Sequence, residues 1–133
     1  MRVFTQVRWP LRDERRMRIA GELHFREPPP DLRDAIVRVR LLDVSRADAS
    51  SETVAEQTIR GVSLKAGNAA DSVSFAFAAP ELDPSRSYTI AAHVDVNGSG
   101  DIEPGDYLTM ESVPVTAAAE GARFEVPVRL VRS

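Results

Sequence analysis

The feature of this sequence that most constrains its fold is an alternation of apolar and polar residues with a period of two. Met17, Ile19, Leu23 and Phe25, for example, alternate with charged and polar residues. Because successive side chains of a β-strand point to opposite faces, this pattern predicts strands that bury one face and expose the other. The clearest further strands are predicted at 37–44, 73–77, 88–94 and 124–130, and weaker ones at 53–62 and 107–115.

Clusters of Pro, Gly, Asn, Asp and Ser separate the predicted strands, as at 27–31, 45–51, 65–68 and 80–85. These residues suit turn conformations that strand residues disfavour. About seven to eight short strands with frequent turn signals predict an all-β fold, an antiparallel β-sandwich of the immunoglobulin-like or transthyretin-like kind. Gly21 predicts a bulge or close packing in the first strand. Pro127 has no backbone N–H to donate, so the last strand is predicted to lie at a sheet edge.

Length and composition limit the function classes. The 133 residues predict one domain over 1–133, with 1–14 as an extra edge strand or an extended arm. The net charge of -3 gives no support for general nucleic-acid binding. The absence of cysteine excludes disulfides, thiolate metal sites and a cysteine nucleophile.

The N-terminal residues do not read as a secretory signal, because they lack an apolar core of about 7–15 residues. No apolar run approaches the roughly 20 residues of a membrane helix. We therefore expect no membrane insertion. The chain as it stands is expected to be cytoplasmic, or periplasmic and envelope-associated if a targeting segment was removed.

The most specific chemical signal is the segment 95–106, which has the spacing of a twelve-residue calcium-binding loop. Oxygen-bearing side chains fall at its positions 1, 3, 5, 9 and 12, and Gly100 falls at position 6, where such a loop turns sharply. Calcium is a hard cation that takes 6–8 oxygen ligands, so a short oxygen-rich loop suits it. The predicted calcium ligands are Asp95, Asn97, Ser99, Asp101, Glu103 and Asp106.

The details of this loop favour a structural ion of modest affinity. Asp101 would contribute its backbone carbonyl, and Asp106 would close the site where a longer glutamate is usual. Predicted strands flank the loop, so it would staple a sheet rather than open a pair of helices. Two alternatives are a plain hairpin loop without an ion, since Asn-Gly and Ser-Gly are favoured turn pairs, and magnesium, which keeps its waters and suits an all-protein cage poorly.

Other candidate sites carry weaker signals. His24 and His93 fall on the predicted outward phases of their strands and are interpreted as solvated surface residues rather than as a shared transition-metal site. His93 could join a serine and an acid in a catalytic triad, but the sequence has no Gly-x-Ser-x-Gly elbow to support one.

Several phrases of the sequence resemble the YbaY-type lipoprotein family, which includes the pilotin chaperones of type III secretion. The segments that carry the resemblance lie at 39–49, 54–59, 75–80 and 82–88, together with Gly21. The resemblance covers roughly 17–94 and implies a small β-sandwich of the bacterial envelope without known catalytic residues. The chain lacks the cysteine that the family lipidates, so the resemblance does not imply a lipid anchor. It implies nothing about calcium.

We therefore expect a non-catalytic β-sandwich that binds a structural calcium ion at 95–106. The alternative is a pilotin-like chaperone or protein-interaction module without a metal, which meets its partner through an edge strand. A third alternative is a small enzyme or sugar-binding domain that uses the loop as the rim of its site. The single tryptophan and two tyrosines of the chain are few for a platform on which sugar rings stack.

Overall fold

The computed structural model describes residues 17–26, 31–46, 50–65, 72–117 and 121–132. The predicted strand or arm at 1–14 lies outside the described residues. Within them the chain forms eight β-strands and no helix. The strands are β1 (Met17–Phe25), β2 (Leu32–Asp43), β3 (Glu52–Leu64), β4 (Val73–Ala79), β5 (Tyr88–Asp95), β6 (Tyr107–Leu108), β7 (Pro114–Val115) and β8 (Arg123–Leu130).

The strands form one mixed sheet in the order β3-β2-β5-β6-β8-β1-β4, and the short β7 pairs with β5 beside β6. All pairings are antiparallel except that of β1 with β8, which is parallel. The sheet curls until its two outer strands approach each other, where the Gln57 side chain of β3 accepts a hydrogen bond from Ala76 N of β4 at 3.0 Å. The fold is therefore all-β and nearly barrel-shaped.

This architecture confirms the all-β prediction and corrects the prediction of an antiparallel sandwich. Alternation shows that each strand buries one face, but two stacked sheets and one curled sheet satisfy it equally. The parallel pairing of β1 with β8 also joins two segments far apart in the sequence, and no local pattern encodes it.

Strand β8 lies inside the sheet order, so the prediction of an edge position for Pro127 is wrong as stated. The strand pairs with β1 over Arg123–Val128 but with β6 only at Arg129 and Leu130. The side of Pro127 that faces away from β1 consequently has no strand partner in the described part of the chain. The missing N–H of proline is tolerated on that side.

The apolar phase of the strands fills the interior, as the alternation predicts. Each of the long strands except β3 contributes fully buried side chains, among them Ile19, Leu23, Val37, Ile90 and Val126. The pairing of β2 with β3 shifts register between Leu41 and Leu42, where the alternation of apolar residues along β2 changes phase.

Gly21 marks the closest approach of two strands. A Cβ atom at this position would lie 2.0 Å from the carbonyl oxygen of Phe124 in β8. Only glycine lets the β1 and β8 backbones meet at this distance, so close packing, one of the two predicted roles of Gly21, is confirmed. None of the described segments is a helix long and apolar enough to cross a membrane.

Candidate functional site: the polar cluster beneath the 95–106 loop

The 95–106 loop connects β5 to β6, and the hairpin register brings its two ends together. Val94 pairs with Tyr107 in an antiparallel ladder, so the next residues outward, Asp95 and Asp106, stand side by side at the base of the loop. Both are fully buried, with 0% and 2% of their surface exposed.

Asp95 accepts four hydrogen bonds. Its Oδ1 accepts from the backbone N of Gly98 at 3.0 Å and of Ser99 at 3.2 Å. Its Oδ2 accepts from Gly100 N at 2.9 Å and from the Arg38 guanidinium at 3.0 Å. Gly98 and Gly100 have φ angles of 73° and 90°, which glycine adopts without strain and which let the loop fold its N–H groups onto this carboxylate.

Burial alone would raise the pKa of Asp95, because it disfavours the charged form. The backbone hydrogen bond from Gly100, the Arg38 guanidinium and the nearby His93 outweigh burial, so the pKa lies below its ordinary value. Asp95 is therefore an anion held by fixed donors.

Asp106 is held in a similar way from the other end of the loop. Its Oδ1 accepts from Val96 N at 3.1 Å, and its Oδ2 accepts from Glu103 N at 3.1 Å. Its Oδ2 also lies 2.8 Å from Nε2 of His93. The two loop carboxylates thus close the loop by binding its own backbone.

The other four predicted ligands lie farther out on the loop and pair with one another. The Asn97 side-chain amide donates to Glu103 Oε1 at 2.8 Å, and Ser99 Oγ accepts from Asp101 N at 3.2 Å. Asn97, Ser99 and Asp101 are exposed, and Glu103 is half-buried. Of the six predicted ligands, the structure brings together Asp95 and Asp106 at the buried base.

Two residues of this cluster escaped the sequence analysis. His93 was predicted to be solvated, but only 8% of its surface is exposed, because Asp106 at the end of the loop bonds to its ring. Arg38 lies 57 residues from Asp95 and stands opposite His93 in the β2–β5 register. The sequence did contain one indication of the role of His93. It lies two residues before Asp95, so both side chains are on the same face of the strand.

The base of the loop brings three metal-ligating groups together. One ligand atom each from His93, Asp95 and Asp106 lies within 4.8 Å of the others. The set of two carboxylates and one imidazole could hold a divalent cation. Arg38 already supplies a positive charge to Asp95, and all four carboxylate oxygens already accept hydrogen bonds. The cluster can therefore hold the loop without an ion.

A second polar network joins the segments that carry the family resemblance. The Arg86 guanidinium donates to Asp43 Oδ2 at 2.5 Å, and Asp43 Oδ1 accepts from Ser45 N at 3.0 Å and Ser45 Oγ at 2.6 Å. The Ser45 hydroxyl in turn accepts from Ser87 N at 2.9 Å. These bonds fasten the turn after β2 to the turn before β5.

The hydrogen bonds from the Ser45 hydroxyl and backbone, together with the Arg86 guanidinium, lower the pKa of Asp43 to about 2. The Ser85 backbone and hydroxyl likewise lower the pKa of Asp83, whose carboxylate accepts from both. Each of these two carboxylates thus caps a turn by accepting hydrogen bonds from the serine two residues further on.

The family model for the type III secretion system lipoprotein chaperone (YscW) matches residues 14–126. The chain belongs to the type III secretion lipoprotein chaperone family. The matched range contains both the Asp43–Arg86 network and the 95–106 loop. Membership confirms the family resemblance seen in the sequence.

A solved structure shares the fold of this chaperone-family protein. It is described as an alternative pilotin from the type II secretion system of Vibrio cholerae, and it is similar with a TM-score of 0.65 and 24% sequence identity. The similarity covers 89% of this chain and 99% of that chain. Comparison with curated proteins gives no match.

Proposed function

We propose that this protein is a pilotin-like chaperone, a non-enzymatic module that binds a protein component of a bacterial secretion system. The observation that carries the proposal is the family match over residues 14–126, which spans most of the curled sheet. The similarity to a pilotin structure supports the same fold. The partner class that a pilotin role requires is a secretin, the outer-membrane channel subunit of such systems.

The direct test is binding of the purified chain to the C-terminal domain of the secretin from the same organism, measured by isothermal titration calorimetry. A saturable one-to-one complex is the expected result. A denatured and refolded preparation of the chain controls for correct folding. Absence of binding by a chain whose melting transition is cooperative would contradict the proposal.

We also propose a second candidate function, binding of a calcium ion by the 95–106 loop. It is supported by the twelve-residue spacing and by the approach of His93, Asp95 and Asp106 within 4.8 Å. Arg38 is the competitor, because its guanidinium lies 3.0 Å from the oxygen of Asp95 that a cation would need. Calcium would therefore have to displace a resident positive charge, and only modest affinity is expected.

Calcium titration of the native chain and of an Arg38→Gln variant tests this candidate. If calcium uses Asp95, the variant frees that carboxylate and should bind calcium more tightly than the native chain. An Arg40→Gln variant is the matched control, because Arg40 pairs with Glu56 and not with the loop. If none of the three proteins releases or absorbs heat on addition of calcium, the proposal of a calcium site is wrong.

A further inference from the structure

A cavity lies beside β8, away from the polar cluster. Its volume is about 620 Å³, and Phe25, Val113, Pro114 and Pro127 supply its apolar lining. Five polar or charged residues complete the lining, namely His24, Arg26, Glu111, Ser112 and Glu125, so the cleft offers both apolar and polar contacts to a ligand. The cleft exists because β8 pairs with β6 at only two positions, Arg129 and Leu130.

One wall of this cleft contains backbone groups that have no backbone partner among the described residues. Val128 O accepts from Arg26 N at 3.0 Å, so the backbone groups of Val128 point towards β1. Alternate residues of a strand direct their N–H and C=O groups to opposite sides, so those of Glu125 and Pro127 point away from β1. No backbone partner for them occurs among the described residues.

On the opposite wall the backbone of Val113 is already paired. Val113 N donates to Thr89 Oγ1 at 2.9 Å, and Val113 O accepts from Ile90 N at 3.0 Å. The segment after β6 is thus bound to β5 and leaves the β8 side of the cleft open. An extended chain that runs along β8 would satisfy the Glu125 N–H and both carbonyls, whereas a helix, whose backbone groups bond internally, would not.

The polar groups of the cleft indicate the charge of its ligand. Nε2 of His24 is shielded from solvent and has no hydrogen-bond partner, although the Glu125 carboxylate lies 3.6 Å away. Arg26 and Glu111 neutralise each other across the cleft at 3.2 Å. The Glu125 side chain, whose carboxylate lies 3.6 Å from the His24 ring, remains 81% exposed. A basic side chain would complement it.

We propose that this cleft binds an extended segment of the secretin partner, which pairs with β8 at Glu125 and Pro127, inserts an apolar side chain between Phe25 and Val113, and sets a basic residue against Glu125. This inference rests on the proposed chaperone function and names the surface through which it acts. The partner would pair with the section of β8 that has no strand neighbour on one side. Pro127, whose missing N–H led to the prediction of an edge strand, lies in this section.

The test compares binding of the secretin C-terminal domain by variants on and off the cleft. Ser112→Arg fills the cleft from an exposed position of its rim. Thr58→Arg is the matched control, because Thr58 is an exposed hydroxyl residue on β3, at the far end of the sheet order. Glu125→Lys is a second variant that reverses the charge without entering the cavity.

Ser112→Arg and Glu125→Lys are each expected to weaken binding about tenfold or more, as loss of a central contact does, while Thr58→Arg binds like the native chain. If the native chain does not bind the secretin domain, the proposed function fails and the inference fails with it. If the native chain binds and both cleft variants bind equally well, the function stands and the cleft is refuted. Helical rather than extended chemical shifts in the bound segment would also refute it.

Discussion

The loop at 95–106 and the cleft beside β8 differ in how their polar groups are satisfied. In the loop, both buried carboxylates accept hydrogen bonds from the loop's own backbone, and Arg38 supplies a counter-charge. In the cleft, the backbone of Glu125 has no backbone partner among the described residues. The ring nitrogen of His24 makes no hydrogen bond, although the carboxylates of Glu22 and Glu125 lie 3.8 and 3.6 Å away. The loop carries the more specific sequence motif, yet it is the cleft that has polar groups without hydrogen bonds.

This difference separates a structural role from a binding role. Buried polar groups that are fully paired hold a protein in one conformation, and unpaired ones carry a cost that a ligand can remove. The loop is therefore a structural element held together by its own residues, and the cleft resembles a ligand-binding site. Substitutions in the loop test its structural role and substitutions at the cleft test its binding role, and the largest effect on stability is expected in the loop.

Removal of the Asp95 carboxylate should have the largest effect on stability. Asp95→Ala leaves the Arg38 guanidinium and the N–H groups of Gly98 and Gly100 without their acceptor, and breaking a buried ion pair costs about 3–5 kcal/mol. Urea denaturation in the presence of a chelator measures the loss. A variant as stable as the native chain under these conditions would show that the loop is not held by its own groups.

The same residue predicts a dependence on pH. The folded-state pKa of Asp95 lies below the ordinary value of 3.8, so its contribution is complete above that value and is lost as the pH falls through the folded pKa. The stability gap between the native chain and Asp95→Asn should thus shrink on acidification below 3.8. A gap that stays constant in acid melting curves would contradict the assignment.

Substitution of Gly21 should be next in size and should act on the cleft side of the molecule. A Cβ 2.0 Å from the Phe124 oxygen forces β1 and β8 apart, and overpacking of this kind typically costs about 1–3 kcal/mol. Gly21→Ala should therefore lower the melting temperature and weaken secretin binding, while the loop amides keep their protection from exchange. Ala20→Gly, at the neighbouring position, is the control for a simple change of chain flexibility.

The Asp43–Arg86 network, like the loop cluster, holds a carboxylate with an arginine and a backbone N–H, but it lies nearer the surface, so a smaller effect is expected. The pKa of Asp43 is about 2, below its ordinary value of 3.8, so the stability it contributes is present above 3.8 and is lost as the pH falls towards 2. Asp43→Asn should reduce the acid sensitivity of unfolding in that window. Identical acid transitions for the variant and the native chain would argue against the network.

Substitutions on the rim of the cleft should have the smallest effect on stability. Ser112 and Glu125 are exposed, so Ser112→Arg and Glu125→Lys should change the free energy of unfolding by no more than about 0.5 kcal/mol. Chemical denaturation of both variants measures this. A large loss would show that the cleft is a structural element and not a free surface.

Local patterns predicted the strands, because alternation acts over a few residues, and the calcium-loop spacing assigned Asp95 and Asp106 to one site. They missed Arg38, which reaches Asp95 from a strand 57 residues away, and they placed His93 in solvent because the covering loop follows it in the chain. The curl of the sheet and the parallel β1–β8 pair depend on contacts between distant segments. The cleft follows from that pairing, so the sequence indicated only its proline.

The contrast between loop and cleft is tested most directly by amide hydrogen exchange in the chelator-treated protein, alone and with the secretin C-terminal domain. The account predicts slow exchange at Gly98, Ser99 and Gly100 in the free protein, because these N–H groups bind Asp95, and fast exchange at Glu125 until the secretin domain binds. Loop amides that are protected only after calcium is added, or a Glu125 amide that exchanges equally fast in the complex, would contradict it.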